Sequence, residues 1–391
     1  MKKSLSMLVF LLVTLSVFFV LQPARANEKG KAGTQAEEKN LVKVSMEGLT
    51  TPAGKESHQP CPCSSAKEGA SSGCGGIVIS HGVQDYASFY DPQTGWVRET
   101  LYGSYLQCCA GVVISRGATD YAYSYDPTNG WVRETLYGKY VECCAGIVIS
   151  NDGTRDYAYS YDPKNGWVRE SLYGSYLECC AGVVISRGAT DYAYSYDPTN
   201  GWVRETLYGK YVECCAGIVI SNDGTRDYAY SYDPKNGWVR KALYGGYVEC
   251  CAGVVISRGA QDYAYTYDPA KGWVQETLYG NYVECCAGIV ISKGAQDYAY
   301  SYDPSLGWVR ESLYGSYMEC CDGVVISRGA AQDYAYAFDP VKGWVRETLY
   351  GSYVECCDGV VISRGARDYA YAFDPVKGWV RETLYGTFSG C

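Results

Sequence analysis

The chain has few of the residues that enzymes and nucleic-acid-binding proteins depend on. Of its 391 residues only two are histidine, His58 and His81. No single serine, cysteine or lysine stands apart beside a plausible base, so we expect no enzyme and no cofactor. The formal net charge is −9 and no basic tract is present, which makes nucleic acid a poor partner. After residue 21 no apolar run is long enough to span a bilayer.

Residues 1–26 have the pattern of a signal peptide. Lys2 and Lys3 form a charged start, residues 7–21 are apolar, and Ala24-Arg25-Ala26 supplies a small-residue cleavage site. Cleavage would remove three positive charges from the −9 total and leave a mature chain near −12. We therefore predict a secreted protein, extracellular or periplasmic, with no transmembrane segment in the mature chain.

The rest of the chain divides into a linker and a repeat array. Residues 27–73 are rich in Lys, Glu, Gly, Ser and Thr, which is typical of a flexible linker. Within it Cys61 and Cys63 form Cys-Pro-Cys, which is compatible with a mutual bond, a bond to a partner chain or a metal. Residues 74–391 are predicted to form one domain of nine repeats. The repeats are marked by tryptophans 35 or 36 residues apart: Trp96, Trp131, Trp167, Trp202, Trp238, Trp273, Trp308, Trp344 and Trp379.

One repeat can be divided into four short strands separated by turn residues. Residues 111–115 are apolar, 121–125 alternate tyrosine with small residues, and 131–137 and 140–144 complete the set. No segment shows helical periodicity over ten residues, so the predicted class is all-β. We expect the tyrosine face of the second strand to pack against the alanine and serine face of a neighbouring sheet.

The repeat resembles a β-propeller blade. The apolar run 182–185, followed by Ala-Tyr-Ser-Tyr-Asp-Pro-Thr-Asn-Gly-Trp at 193–202, is similar to kelch-type repeats and to pyrroloquinoline-quinone-type propeller repeats. The resemblance covers residues 75–391. It implies a tandem-repeat β-propeller with about nine short four-stranded blades. The alternative is an open β-solenoid.

Twenty cysteines in a secreted chain indicate a disulfide framework. Adjacent residues on a strand point to opposite faces, so the second cysteine of one pair can face the first cysteine of the next. This ladder would join Cys74–Cys108, Cys109–Cys143, Cys144–Cys179, Cys180–Cys214, Cys215–Cys250, Cys251–Cys285, Cys286–Cys320, Cys321–Cys356 and Cys357–Cys391. One alternative is a bond within each adjacent pair, with Cys74–Cys391 closing the array. The other is metal binding or free thiols, although Cys-Cys without histidine is a weak zinc signal and we predict no metal site.

Three further rows of residues recur in every repeat. The tryptophans are expected to pack neighbouring sheets together rather than to stack on sugars. The aspartates that open the second strand, such as Asp120, are expected to cap their own turns rather than to hold calcium. Glu142 and its equivalents are expected to pair with the recurrent arginines.

The loops Ser-Arg-Gly-Ala and Tyr-Gly-Lys-Tyr should lie on one face of the array and the Asp-Pro turns on the other. Candidate binding residues on the first face are Arg116, Arg187, Arg258, Lys293, Tyr137 and Tyr140. We predict an extracellular binding or scaffold module that binds an unknown ligand, a carbohydrate or a protein surface, at several weak sites. The alternatives are a structural solenoid that forms a surface layer or fibre, and a secreted quinone- or calcium-dependent enzyme.

Overall fold

A computed structural model describes residues 74–386 and 388–390. Every regular element in these residues is a β-strand, which confirms the all-β prediction. The same residues include no helix of the length and apolarity needed to cross a membrane. The predicted signal peptide, the predicted linker and the Cys61/Cys63 motif lie outside the described residues.

The strands form nine antiparallel sheets, numbered 1–9 along the chain. Sheet 1 has three strands: β1 (Ile77–Ser80), β2 (Tyr86–Asp91) and β3 (Gly95–Thr100). Sheets 2, 3 and 4 are β4 (Ser104–Cys109), β5 (Val112–Arg116), β6 (Asp120–Asp126), β7 (Gly130–Thr135); β8 (Lys139–Cys144), β9 (Ile147–Asn151), β10 (Asp156–Asp162), β11 (Gly166–Ser171); and β12 (Ser175–Cys180), β13 (Val183–Arg187), β14 (Asp191–Asp197), β15 (Gly201–Thr206).

The remaining five sheets repeat the same plan. Sheets 5, 6 and 7 are β16 (Lys210–Cys215), β17 (Ile218–Asn222), β18 (Asp227–Asp233), β19 (Gly237–Ala242); β20 (Gly246–Cys251), β21 (Val254–Arg258), β22 (Asp262–Asp268), β23 (Gly272–Thr277); and β24 (Asn281–Cys286), β25 (Ile289–Lys293), β26 (Asp297–Asp303), β27 (Gly307–Ser312). Sheets 8 and 9 are β28 (Ser316–Cys321), β29 (Val324–Arg328), β30 (Asp333–Asp339), β31 (Gly343–Thr348); and β32 (Ser352–Cys357), β33 (Val360–Arg364), β34 (Asp368–Asp374), β35 (Gly378–Thr383).

The boundaries of each sheet differ from the predicted division of the repeat. The sequence analysis placed residues 140–144 as the fourth strand of the repeat that begins at 111. The structure pairs that cysteine-bearing strand, β8, with β9 and not with β7, so it opens the next sheet. The reason is local: Ala145 and Gly146 join β8 to β9 in a two-residue hairpin, and both have positive φ (47° and 81°) as a type I′ turn requires.

Successive sheets pack face to face, with large side chains of one sheet against small side chains of the next. The alternation of tyrosine with alanine and serine predicted this packing. In sheet 4, Tyr194 is fully buried and lies against Ile149, Ala158 and Leu172 of sheet 3. Its hydroxyl accepts a hydrogen bond of 2.8 Å from the backbone N–H of Tyr173. Every sheet from 2 to 9 has a tyrosine at this position with 0% exposure. The core is therefore a series of interfaces between neighbours, and it continues along the array.

Two glycines with the same backbone conformation have different surroundings, which gives a matched test of the fold. Gly174 (φ +82°) turns the chain from sheet 3 into sheet 4, and a Cβ there would lie 2.1 Å from the carbonyl oxygen of Arg187. Gly201 (φ +73°) has open space around the same position. We expect Gly201→Ala to cost about 1–2 kcal/mol from left-handed backbone strain alone. Gly174→Ala should cost at least about 2 kcal/mol more because the main chain must move. Urea unfolding of both variants measures the difference, and equal costs would contradict the described turn.

Candidate functional site

Disulfide bonds join each sheet to the next along the edge formed by the first strands. Eight bonds follow the pattern of the ladder: Cys74–Cys108, Cys109–Cys143, Cys144–Cys179, Cys180–Cys214, Cys215–Cys250, Cys251–Cys285, Cys286–Cys320 and Cys321–Cys356. Their Cα–Cα distances run from 5.5 to 6.3 Å, within the usual range for a disulfide. Cys357 is also disulfide-bonded. Its predicted partner, Cys391, lies outside the described residues.

The opposite edge is tied by tryptophan in most sheets; the Nε1 of Trp308 in sheet 7 is buried without a hydrogen-bond partner among the described residues. The indole Nε1 of Trp131 in sheet 2 donates to the carbonyl oxygen of Val97 in sheet 1 over 3.2 Å. The same bond recurs at Trp167, Trp202, Trp238, Trp273, Trp344 and Trp379. Each of these tryptophans thus has its polar atom engaged inside the array, which agrees with the predicted packing role.

The aspartates that open the tyrosine-rich strand, such as Asp120 at the start of β6, hold the chain at the next sheet in place of the predicted capping of their own turns. The buried carboxylate of Asp120 accepts the backbone N–H of Tyr140, twenty residues later, over 2.8 Å. It also accepts two N–H groups of Arg116, at 2.9–3.2 Å. Asp120 therefore fixes the start of the next sheet, and it is a strand connector. Capping of a local turn is performed by the Asp-Pro aspartates instead, as at Asp126, which accepts the N–H groups of Thr128 and Asn129.

The predicted binding arginines lie at the loop end of the sheets, hereafter the loop face, where Ser104 pairs with Arg116. Arg116, Arg187 and Arg258 each form an ion pair with a buried aspartate, and their own side chains stay 47–53% exposed. Lys293 occupies the equivalent exposed position in sheet 7. Each of these four sheets thus presents a positively charged side chain at the same place. Where that side chain is an arginine, an aspartate of the same sheet holds it.

The predicted tyrosines have different surroundings. Tyr137 is 52% exposed, but its ring is covered on one side by the guanidinium of Arg169, 4.0 Å from the ring centroid, and it also packs on Tyr157. Tyr140 is only partly exposed, and its hydroxyl donates to Gln107 of the preceding sheet. Tyr137 therefore contributes to the loop face as part of an arginine–tyrosine stack, whereas Tyr140 packs between sheets.

The arginine row that covers these tyrosines is a feature that the sequence analysis missed. Arg133, Arg169, Arg204, Arg240, Arg310, Arg346 and Arg381 each lie 3.9–4.3 Å from a loop-face tyrosine of the preceding sheet. Sheet 6 differs, because Gln275 replaces the arginine and Lys241 of sheet 5 instead lies 5.9 Å from the ring of Tyr244. The signal was available: arginine follows tryptophan by two residues in every repeat except this one.

The predicted pairing of Glu142 with arginine is wrong. Glu142 accepts a hydrogen bond from the hydroxyl of Tyr176 in the next sheet, over 2.7 Å. The arginines are engaged elsewhere, with aspartates and tyrosine rings. The Glu–Tyr contact recurs between later sheets, as in Tyr247 with Glu213 and Tyr317 with Glu284. Burial and the neighbouring carboxylate together raise the pKa of the Tyr176 hydroxyl well above its ordinary range.

These contacts predict that stability falls at alkaline pH. Burial, and to a lesser extent Glu142, raises the pKa of Tyr140 to about 12, and burial with Asp126 raises that of Tyr161 to about 12. A phenol whose folded pKa exceeds its unfolded value contributes stability that is fully present below pH 10 and lost as the pH rises through 12. The urea midpoint should be flat from pH 8 to about 9.5 and fall beyond pH 10, together with phenolate absorbance. A flat midpoint up to pH 12 would contradict the buried placement of these tyrosines.

Two shallow clefts open on the loop face at equivalent places in sheets 1 and 6. The cleft in sheet 6, about 650 Å³, is lined by Arg258, Asp262, Gln275, Glu276 and Tyr279, among others. The cleft in sheet 1, about 710 Å³, has Asp85, Arg98, Glu99 and Tyr102 at matching positions, with Arg133 of sheet 2 beside them. Both clefts combine cations, carboxylates and a tyrosine. Such a lining suits a polar ligand with several hydrogen-bonding groups.

The candidates for metal or acid–base chemistry in residues 74–386 and 388–390 are few. Within these ranges no three His, Cys, Asp or Glu side chains lie close enough together to hold a metal ion. His81 contacts Asp85 over 3.0 Å in an exposed loop. The neighbouring cleft supplies arginines, carboxylates and Ser104.

Comparisons with known proteins gave structural matches only. No protein-family model matches the chain, and no curated protein matches it. Among solved structures, a crystal structure of an ancestral GH74 enzyme is similar over 81% of this chain and 73% of that chain, with 9% sequence identity and a TM-score of 0.15. A TM-score this low carries no argument about fold or activity. The class that the structure itself defines is an all-β tandem-repeat protein whose sheets are joined by disulfides.

Proposed function

We propose that the protein is a secreted, non-enzymatic scaffold that binds an extended extracellular ligand, a carbohydrate or a protein surface, at repeated positions along its loop face. The observation that carries the proposal is the recurrence of one exposed constellation. Half-exposed arginines held by buried aspartates recur at Arg116, Arg187, Arg258, Arg328 and Arg364, one from each of five sheets. Beside them are loop-face tyrosines 52–60% exposed.

Rigid spacing is what makes weak repeated sites useful. Disulfides at one edge and tryptophan bonds at the other hold neighbouring sheets at fixed separation. When one site binds, the next is then presented at a defined distance, so the second event is effectively intramolecular. Avidity from several weak sites needs no deep pocket, which agrees with the shallow clefts. Net negative charge and the extracellular prediction favour a neutral or basic ligand surface over an anionic polymer.

We further propose that the sheets form an open stack and not a closed propeller ring. In a closed ring of nine blades, neighbouring sheets would be rotated by about 40° relative to each other. Over a sheet width of about 14 Å, this rotation would separate their outer edges by roughly 10 Å more than their inner edges. Neighbouring sheets instead stay close at both edges. In sheets 7 and 8, Cα atoms of β24 and β28 lie within 8 Å of each other on the disulfide edge, and so do those of β27 and β31 on the tryptophan edge.

The binding proposal is tested with a glycan array of neutral and acidic polysaccharides and a panel of immobilised matrix proteins. The triple variant Arg116→Gln, Arg187→Gln, Arg258→Gln removes three loop-face cations. Its matched control is Lys164→Gln, Lys235→Gln, Lys377→Gln, which makes the same charge change in exposed Asp-Pro turns at the opposite end. We expect the arginine triple to lose about tenfold or more in apparent affinity and the lysine triple to keep it. Equal binding by both variants would reject the loop face as the site.

A further inference from the structure

Among residues 74–386 and 388–390, the two end sheets each leave uncovered one face of the kind that is buried between all the other sheets. On sheet 9, Ala372 is exposed and Val380 is 45% exposed, whereas Ala337 at the equivalent place in sheet 8 is buried at 4%. On sheet 1, Val78 is 51% exposed, whereas Val113 of sheet 2 is at 0%. Both faces are uncovered at once, so they do not cover each other within the chain.

The two uncovered faces match as the halves of one interface. At the interface of sheets 1 and 2, the later sheet donates the Nε1–H of Trp131 and the hydroxyl of Tyr125, and the earlier sheet accepts them with the carbonyl of Val97 and the carboxylate of Asp91. The tyrosine–aspartate bond recurs between Tyr302 and Asp268, whereas sheets 8 and 9 have Phe338 and Phe373 in the tyrosine position. Sheet 1 holds Trp96 at 63% and Tyr90 at 53% exposure in the two donor positions. Sheet 9 holds Val380 and Asp374 in the two acceptor positions.

Two features break the match: sheet 1 lacks the cysteine-bearing first strand of the other sheets, and one residue of its outer face differs. The fully buried tyrosine of sheets 2–9 is replaced in sheet 1 by Ser88. A face that carries serine there leaves unfilled the pocket that Ile362, Ala370 and Leu384 of sheet 9 would form, since the equivalent side chains of sheet 3 enclose Tyr194. This substitution removes the hydrogen bond that the buried tyrosine accepts at the internal interfaces but leaves the tryptophan donor in place, so it weakens the contact, as expected of an end repeat whose outer face limits further stacking.

We infer that sheet 1 of one copy of this chain docks on sheet 9 of a second copy, head to tail, in the geometry of the internal sheet interfaces. A second copy of the chain is the expected partner, because faces of these two kinds are buried against each other eight times between successive sheets within the chain. A heterologous contact of this kind propagates into open filaments. The outer face of sheet 1, with three strands of four to six residues, covers only about 250 Å² per partner, so the wild-type contact is weak and concentration-dependent. No disulfide of the ladder spans it, since every cysteine from Cys74 to Cys356 is already paired within the chain.

Sedimentation velocity of the purified oxidised protein over a wide concentration range tests the inference. Ser88→Tyr supplies the missing ring and should strengthen self-association by about tenfold or more, whereas Trp96→Ala should weaken it. Adding Ala372→Arg to Ser88→Tyr blocks the opposite face and should abolish the gain. Val376→Ser, at an 86% exposed turn position away from both faces, is the control and should behave as wild type.

Three results would overturn the inference. If the Ser88→Tyr variant associates no more strongly than wild type, the two faces do not dock. If the double variant associates as strongly as Ser88→Tyr alone, sheet 9 is not the partner surface. Oxidative footprinting that finds Trp96 protected in dilute monomer would show that the chain's own residues cover sheet 1. Binding of Trp96→Ala to the glycan and protein panels reports on the loop face separately, so failure of docking and failure of the binding proposal are distinguishable.

Discussion

Removing one rung of the ladder is expected to cost about 4 kcal/mol of stability in the sheets that it joins. The variant Cys109→Ser with Cys143→Ser opens a loop of 34 residues between sheets 2 and 3. The cost arises because the unfolded chain regains the conformational freedom that the bond had removed. Both residues are replaced, so no free thiol remains to exchange with the other bonds. Urea unfolding followed by far-ultraviolet circular dichroism measures the loss.

The control for this prediction is Cys61→Ser with Cys63→Ser, which removes two cysteines outside the repeat array. We expect its midpoint to stay within the error of wild type. In an array of this kind neighbouring interfaces unfold semi-independently, so the loss should be concentrated at sheets 2 and 3 in hydrogen exchange. A double variant as stable as wild type, with unchanged exchange in those sheets, would mean that the bond does not form.

Truncating the buried tyrosine of one interface should have an effect of similar size. Tyr194→Ala removes a side chain with 0% exposure that sheet 3 encloses, and we expect a loss of about 3–5 kcal/mol. Tyr194→Phe keeps the ring but leaves the backbone N–H of Tyr173 without its acceptor, which should cost about 1–3 kcal/mol. The two variants together separate the packing contribution from the hydrogen bond.

Tyr385→Ala provides the comparison, since that side chain is 96% exposed and should change stability by no more than about 0.5 kcal/mol. Thermal unfolding of the three variants under identical oxidising conditions gives the ranking. If Tyr194→Phe were as costly as Tyr194→Ala, the hydroxyl and not the ring would dominate the interface. If neither variant differed from Tyr385→Ala, the face-to-face packing of sheets 3 and 4 would be refuted.

Much of the fold could be predicted because the repeat displays its own periodicity. The alternation of Tyr192, Ala193 and Tyr194 predicts a strand with one large and one small face, and the sheets pack in that way. Which strand of the repeat begins each sheet could not be predicted in the same way. A tandem repeat has no natural starting point, so the sequence alone does not say whether the strand of Cys143 and Cys144 closes one sheet or opens the next.

The side-chain partners of the loop face were less predictable, because they lie in different repeats. Glu142 was expected to pair with arginine on charge alone, but its partner is the hydroxyl of Tyr176, 34 residues further on. Asp120 was expected to act locally, but it fixes the N–H of Tyr140. Contacts at a separation of one repeat depend on the register between sheets, and register is set by the stacking that only the structure shows.

The central claim, that disulfides join each sheet to the next, is tested most directly by tryptic digestion of the oxidised protein without reduction. Arginine or lysine separates every cysteine pair from the next, so a ladder should hold all cysteine-bearing peptides of residues 74–391 in one cross-linked species. The peptides of Cys250–Cys251, Cys285–Cys286 and Cys320–Cys321 have unique sequences and identify the rungs Cys251–Cys285 and Cys286–Cys320 by mass spectrometry. Separate peptides, each with a bond between its own two adjacent cysteines, would contradict the account.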